Sequence, residues 1–224
     1  MNRTLAAAIV NGLLLALAVL SLFPLVWMLS VSFMQPGEAS HFPPPLLPAD
    51  PTLHNYRELF VRAGMGRYFA NSLMVSIAVT LVSVLLNTMA GYAFAKLQFA
   101  GREKVFRSLL AVMVIPGQVA MMPLFLLLKQ MGLVNTYMGA IVPGMAAIFG
   151  IFLVRQYARS IPDELLEAAR IDGAGEWRIF FQIVLPALKP ILVTLAIFSF
   201  LGAWNDFMWP LIVLTDGNLH TLPV

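Results

Sequence analysis

The sequence predicts an all-α fold, a polytopic bundle of transmembrane helices. Of its 224 residues, 60% are hydrophobic and 11% are charged, whereas soluble domains carry about 25% charged residues. The apolar residues gather in long runs, and short basic stretches separate these runs. A helix needs about 20 apolar residues to cross a hydrocarbon core, which is the length these runs reach.

Five apolar runs are predicted spans. The first follows Arg3 and is nearly twice as long as a signal-peptide core of about 7–15 residues, so it is interpreted as a retained span. The third contains Pro116, Gly117 and Pro123, helix breakers that neighbouring helices can accommodate inside a membrane. The five runs cover residues 5–31, 72–94, 105–128, 138–154 and 190–214.

The connection 32–68 is polar and rich in proline in its first half. Thr52 is predicted to cap a short helix in its second half. The apolar side chains of that helix, from Leu53 to Phe60, fall on one face. This pattern suits a helix on the membrane surface and an ordinary loop helix equally well.

Lysine and arginine predict the orientation of the chain. One side of the predicted bundle has Arg57, Arg62, Arg67 and Lys129. The other side is richer in basic residues: Arg3, Lys96, Arg102, Lys104, Arg107, Arg155, Arg159, Arg170, Arg178 and Lys189. The positive-inside rule therefore places the N-terminus and segment 155–189 in the cytoplasm and connection 32–68 outside.

Segment 155–189 predicts a cytoplasmic helix-Gly-helix. Ser160 is expected to cap the first helix, and Gly173 lies where a helix ends in a left-handed residue. A second helix is predicted over 176–184, until Pro186 interrupts it. The first turn of the first helix holds residues that favour a helix N-terminus, namely Pro162, Asp163 and Glu164.

Two adjacent alanines, Ala168 and Ala169, are predicted to leave a shallow surface on the first helix that another protein could approach closely. Glu164, Glu167 and Arg170 flank these alanines and could form charged contacts with a partner. From the residues alone, a solvated hairpin without a partner is an equally good interpretation.

The run EAARIDGAG (167–175), with IVLP beyond it, resembles the EAA loop of ABC importer permeases. Three further stretches resemble the maltose-type, sugar-importing branch of that family. They are GYAFAKLQFAGR (91–102), FGIFLVRQYARSIPDELLEAARIDGA (149–174) and WNDFMWPLIVLTDGNLHTLPV (204–224). The resemblance therefore covers nearly all of the chain from residue 71 onward, as a single permease domain.

The resemblance implies a permease of the bacterial inner membrane that imports a sugar, a polyol or glycerol phosphate. It implies an ATPase dimer, a second permease and an extracytoplasmic solute-binding protein as partners. The family pattern has six spans, so five spans favour a chain that lacks the last one. The residues that the resemblance assigns to ATPase coupling are Glu164, Glu167, Ala168, Ala169, Arg170, Asp172 and Gly173.

Several kinds of chemistry are missing from the sequence. It has no G-x-x-x-x-G-K-[ST] motif, so ATP hydrolysis and its cofactor are expected in a partner subunit rather than in this chain. There is no cysteine, and His41, His54 and His220 lie far apart, which predicts no metal site. The basic residues are dispersed rather than clustered, which argues against nucleic acid. The chain is therefore not expected to be an enzyme.

Asp206, next to Asn205, is the one acid well inside a predicted span. It lies about 24 Å along a helix from Pro190, near the outer edge of the bilayer. It could line the translocation path, but anchoring the helix end between Trp204 and Trp209 is favoured. The main alternative function is a secondary transporter or channel, which usually has ionisable groups near mid-membrane and needs no cytoplasmic hairpin.

Overall fold

The computed structural model describes residues 3–224, and over that range the chain forms helices, turns and loops without a β-strand. The predicted all-α class is therefore confirmed for this part of the chain. The structure divides into two compact units, Met1–Gly66 and Arg67–Val224.

The first unit contains helix α1 (Arg3–Ser32) and the connection that follows it. α1 matches the first predicted run and continues through Pro24. From Ile9 to Ser32 the helix is strongly apolar, and its most apolar stretch buries nothing within the chain. A helix that is apolar on all sides and unburied requires a surrounding apolar medium.

The connection folds back onto the end of α1. The Asn55 side chain donates to the carbonyl oxygens of Ser32 (3.2 Å) and Met34 (2.9 Å). Helix α2 (His54–Val61) has Leu53 as its N-cap, so the predicted cap at Thr52 is wrong by one residue. The Thr52 hydroxyl nevertheless accepts a hydrogen bond from the backbone N–H of His54 at 3.1 Å.

The second unit is built on helix α3 (Met65–Lys96), which extends beyond the predicted run 72–94 at both ends. One face of α3 is buried from Asn71 to Tyr92. Its members recur every three or four residues, as expected for one side of a helix; they include Ser72, Val75, Ser76, Val79, Ser83 and Asn87.

The predicted run 105–128 is not one straight helix. Helix α4 (Arg102–Val112) and helix α5 (Gly117–Gln130) meet at an angle of 104°. The break falls at Pro116, which is the N-cap of α5 with an extended backbone. Proline lacks an N–H and disfavours a helical residue before it, which explains the position of the break.

The predicted run 138–154 is also bent, by 40°. Helix α6 (Tyr137–Ile141) continues into a 3₁₀ turn (Val142–Gly144), and helix α7 (Ile148–Ala158) begins after a short break.

Helices α8 (Asp163–Ile171) and α9 (Glu176–Ile179) form the predicted helix-Gly-helix. Pro186 does not end the second helix as predicted. The chain passes through one π-helical turn (Phe180–Val184) and α10 (Leu185–Ala187), and then bends by 80°. The backbone stays helical from Glu176 through Pro186 to Ala187.

The predicted run 190–214 contains a break. Helix α11 (Lys189–Trp204) is followed by residues 205–207 and then by helix α12 (Met208–Val213). Across the described residues, two helices are long and apolar enough to cross a membrane, or up to five if each bent pair is one span. The five-span topology therefore stays a prediction.

Two apolar clusters hold the second unit together, and α3 contributes to both. Val75 and Val79 belong to the cluster that also contains Leu128, Trp209 and Val213. At the other end of α3, Tyr92 packs in a second cluster with buried residues of α7, α8, α9, the turn 180–184 and α11; this cluster includes Val154, Ala158, Leu166, Ile179, Phe180, Val184, Leu188 and Leu195.

Candidate functional site: a helical hairpin and a cavity

The hairpin formed by α8 and α9 begins at Pro162, whose extended backbone is the N-cap of α8. Asp163 and Glu164 lie in the first turn, where carboxylates stabilise a helix N-terminus. The predicted cap at Ser160 is wrong. Its hydroxyl donates instead to the carbonyl oxygen of Tyr157 at 2.7 Å, so it belongs to the end of α7.

Gly173 ends α8 as predicted. Its φ of +80° lies in the left-handed region that favours glycine. The backbone N–H of Ala174 donates to the carbonyl oxygen of Ala169 at 2.9 Å, and that of Gly173 donates to Arg170 at 3.0 Å. These bonds satisfy carbonyl groups at the helix end and reverse the chain towards α9.

The two alanines of α8 lie in different environments. Ala169 is partly buried against the second apolar cluster, beside Leu166, which is 2% exposed. Ala168 is exposed, as are Glu164, Leu165 and Glu167. Of the two alanines, only Ala168 therefore lies on the exposed side of the hairpin, which also includes Ile171, 86% exposed.

Arg170 pairs within the hairpin. Its Nε donates to Glu176 Oε1 at 2.7 Å, and a second guanidinium nitrogen lies 3.4 Å from Oε2. The hydrogen bond with Arg170 lowers the pKa of Glu176, and the same bond raises the pKa of Arg170. Arg170 therefore ties α8 to α9 across the glycine turn, a role that the sequence pattern did not predict.

A cavity of about 480 Å³ lies beside α3, between α5, α6, α7, α11 and α12. Small and apolar side chains form most of its wall, including Gly144, Gly150, Phe149 and Phe198. Its polar lining consists of Ser83, Gln118, Ser199 and Asp206. A mostly apolar cavity with a few polar groups is the usual form of a small-molecule site.

Asn205 and Asp206 lie in different environments. Asn205 is exposed, and its amide donates to the carbonyl oxygen of Leu201 at 2.8 Å, which closes the end of α11. Asp206 Oδ1 accepts from the backbone N–H of Trp209 at 3.3 Å and so supports the start of α12. Asp206 also lines the cavity.

Asn87 is a buried polar residue that the sequence pattern did not single out. Its side chain is fully buried; it donates to Ser83 Oγ at 2.8 Å and accepts from the backbone N–H of Ala147 at 3.1 Å. A Cβ on Gly150 would come within 2.6 Å of Asn87 Nδ2, so a glycine is needed there. In the sequence, Asn87 could have been recognised as a polar amide within the apolar run 72–94.

The sequence matches the profile of a known protein family. The family profile "Binding-protein-dependent transport system inner membrane component" matches residues 87–224. The chain belongs to this family. The resemblance to ABC importer permeases seen in the sequence is thereby confirmed.

Several known permeases resemble the chain over almost its whole length. An arabinooligosaccharide transport permease of Halalkalibacterium halodurans is 40% identical over 215 residues, covering 93% of this chain and 76% of the relative. A diacetylchitobiose uptake permease of Streptomyces coelicolor is 38% identical, covering 96% of this chain and 72% of the relative. A melibiose/raffinose/stachyose import permease of Bacillus subtilis is 36% identical, covering 99% of this chain and 81% of the relative.

A solved structure has the same fold. A chain of a bacterial ABC transporter involved in the import of the acidic polysaccharide alginate superposes with a TM-score of 0.85 and 26% sequence identity. The match covers 100% of this permease and 79% of that chain.

Proposed function

We propose that this permease forms part of the membrane pathway of an ATP-driven importer for a sugar, an oligosaccharide or a related polyol. The observation that carries the proposal is the 40% identity, over 93% of the chain, to a permease for arabinooligosaccharides. Relatives named for diacetylchitobiose and for melibiose, raffinose and stachyose point to the same chemical class.

The assembly that we propose contains two ATPase subunits, a second permease and an extracytoplasmic solute-binding protein. In this proposal the chain crosses the bacterial inner membrane five times, with its N-terminus and the α8–α9 hairpin in the cytoplasm. The long basic side chains of segment 155–189 support that orientation. ATP binds and is hydrolysed in the ATPase subunits.

The α8–α9 hairpin is the proposed contact with the ATPase. Its exposed side combines a small residue, Ala168, with the carboxylates of Glu164 and Glu167 and with the apolar side chains of Leu165 and Ile171. A small residue at the centre permits close approach, and exposed apolar groups such as Ile171 bury their surface on binding. Among the other residues assigned to coupling, Ala169, Arg170, Asp172 and Gly173 would hold the shape of the hairpin.

The cavity beside α3 is the proposed contribution of this chain to the translocation path. Its hydroxyl, amide and carboxylate groups can exchange hydrogen bonds with sugar hydroxyls, and Phe149 and Phe198 offer apolar faces to a sugar ring. Asp206 takes part in this path while also supporting α12. Asn205, which is not among the lining residues, has a structural role.

Co-purification with the ATPase tests the proposed docking surface. Ala168→Trp places a large side chain at the centre of that surface, so the fraction of permease that retains the ATPase in detergent should fall at least several-fold. Ala168 is preferable to Ala169, because Ala169 is partly buried and its substitution would disturb the fold.

The matched control is Ala100→Trp, at an exposed alanine in the turn between α3 and α4, which should bind the ATPase like the wild type. Full retention of the ATPase by Ala168→Trp would contradict the docking surface.

A further inference from the structure

Lys96, the last residue of α3, makes contacts that tie this helix to the start of the hairpin. Its ammonium donates to the carbonyl oxygen of Ile161 at 2.5 Å and to Asp163 Oδ1 at 2.7 Å. The Lys96 side chain is only 6% exposed, whereas that of Asp163 is 70% exposed. A buried ammonium is costly unless it is paired, so both contacts hold Lys96 in one place.

The two acceptors of Lys96 belong to the entrance of α8. Ile161 lies two residues before the helix and is 6% exposed, and Asp163 is its first residue. Lys96 itself stands at the C-terminus of α3, where a positive charge is favourable, while Asp163 stands at an N-terminus, where a negative charge is favourable. Lys96 therefore connects the negative end of the α3 dipole to the positive end of the α8 dipole.

A second cation fixes the same end of α3. Arg155 of α7 is 12% exposed; its Nε donates to the carbonyl oxygen of Phe94 at 3.2 Å, and its guanidinium lies 2.9 Å from Glu103 Oε2. The guanidinium carbon also lies 3.9 Å from the centroid of the Phe106 ring. The end of α3 is therefore bound to α4 and α7 as well as to α8, and it cannot shift independently of them.

Three routes lead from α8 towards the cavity, and they differ in stiffness. The shortest covalent route runs back through residues 159–162 into α7, whose Phe149 and Gly150 line the cavity. The covalent route through α9 and α10 passes a π-helical turn and the 80° bend before α11. The route through Lys96 enters α3, which is one unbroken helix of 32 residues. Ser83 and Val79 of that helix line the cavity, and Ser83 lies about 20 Å from Lys96 along the helix.

We propose that Lys96 is a positioning residue through which a displacement of α8 moves α3 and thereby the cavity wall. This inference rests on the proposed function, because it assumes that an ATPase displaces α8. Coupling between distant sites needs a continuous physical connection, and the ammonium–carbonyl and ammonium–carboxylate contacts supply it between two rigid helices. Lys96 takes no part in binding the ATPase or the sugar.

The test compares variants of the complete transporter, reconstituted in vesicles with its ATPase and solute-binding protein. Lys96→Met removes the ammonium and keeps an unbranched stem, and Asp163→Asn weakens one of its two contacts. Both should retain the ATPase and its basal ATP hydrolysis. The amount of sugar transported per ATP hydrolysed should fall about tenfold in Lys96→Met, the size of a typical coupling effect, and by less in Asp163→Asn.

Arg107→Met is the matched control, because Arg107 forms an exposed ion pair with Glu103 and has no contact with α8 among its hydrogen bonds and ion pairs. It should transport like the wild type, and Lys96→Arg, which restores a donor, should recover part of the lost coupling. The inference is overturned if Lys96→Met transports as much sugar per ATP as the wild type. It is also overturned if Lys96→Met fails to assemble while Asp163→Asn remains fully coupled. A wild-type complex without ATP-dependent uptake would instead contradict the proposed function.

Discussion

Asn87 shows how one side chain makes a helix break tolerable inside an apolar bundle. The bend between α6 and α7 leaves backbone N–H groups without helical partners, and the N–H of Ala147 is one of them. Non-helical backbone at membrane depth is tolerated where its polar groups find partners in the protein or line a cavity, and Ala147 lies at the cavity wall. The Asn87 amide accepts from it while its own nitrogen donates to Ser83.

Replacing Asn87 by leucine should therefore destabilise the protein. Asn87→Leu keeps the number and branching of the side-chain heavy atoms but removes the acceptor for the N–H of Ala147, at a cost of about 1–3 kcal/mol. The measurement is the midpoint of thermal unfolding of the purified protein in detergent.

Asn205→Leu is the control for that experiment, because Asn205 is exposed and bonds only to the carbonyl of Leu201 among its hydrogen bonds. Its midpoint should stay close to that of the wild type. If Asn87→Leu unfolds at the wild-type midpoint, the buried amide does not stabilise the bend.

Among the elements, the turn and the first helix of the α8–α9 hairpin could be predicted from sequence more fully than the bent spans. Gly173 marks its turn and Asp163 marks its start, because both act through local backbone geometry and charge. The bends within the predicted spans depend on contacts between distant residues, such as those of Asn87 with Ala147, which no local pattern records. Asp163, the carboxylate partner of Lys96, is likewise 67 residues away in sequence.

The Arg170–Glu176 pair gives the hairpin a pH dependence. The pKa of Glu176 is lowered in the folded state by its hydrogen bond with Arg170. Its stabilisation is therefore complete above the ordinary glutamate pKa of about 4.3 and is lost as the pH falls through the lower folded value. Amide exchange of Ala174, after correction for the intrinsic effect of pH, should accelerate on acidification over that range.

Glu176→Gln provides the comparison for this titration, because glutamine can still accept a hydrogen bond but carries no charge. The corrected exchange of Ala174 should then be independent of pH over the same range. Equal pH profiles in the wild type and in Glu176→Gln would show that the ion pair does not stabilise the turn.

At the scale of the whole molecule, composition and run length were enough to predict an all-α membrane protein. The break at residues 205–207 was missed although Asn205 and Asp206 interrupt the apolar run there, because apolar residues resume directly after them in α12. The position of the cavity was also beyond the sequence, since its polar lining comes from three separate helices and a break: Ser83, Gln118, Ser199 and Asp206. Asp206 could be singled out as an isolated acid, but its support of α12 required the structure.

ATP-driven import can be tested by measuring uptake of a labelled oligosaccharide into vesicles that contain this permease and its partner subunits. We predict accumulation that requires hydrolysable ATP on the side of the ATPase and the solute-binding protein on the other side. ATP that cannot be hydrolysed should give no sustained uptake. Accumulation at an undiminished rate without ATP, driven by an ion gradient, would contradict ATP-driven import and indicate a secondary transporter.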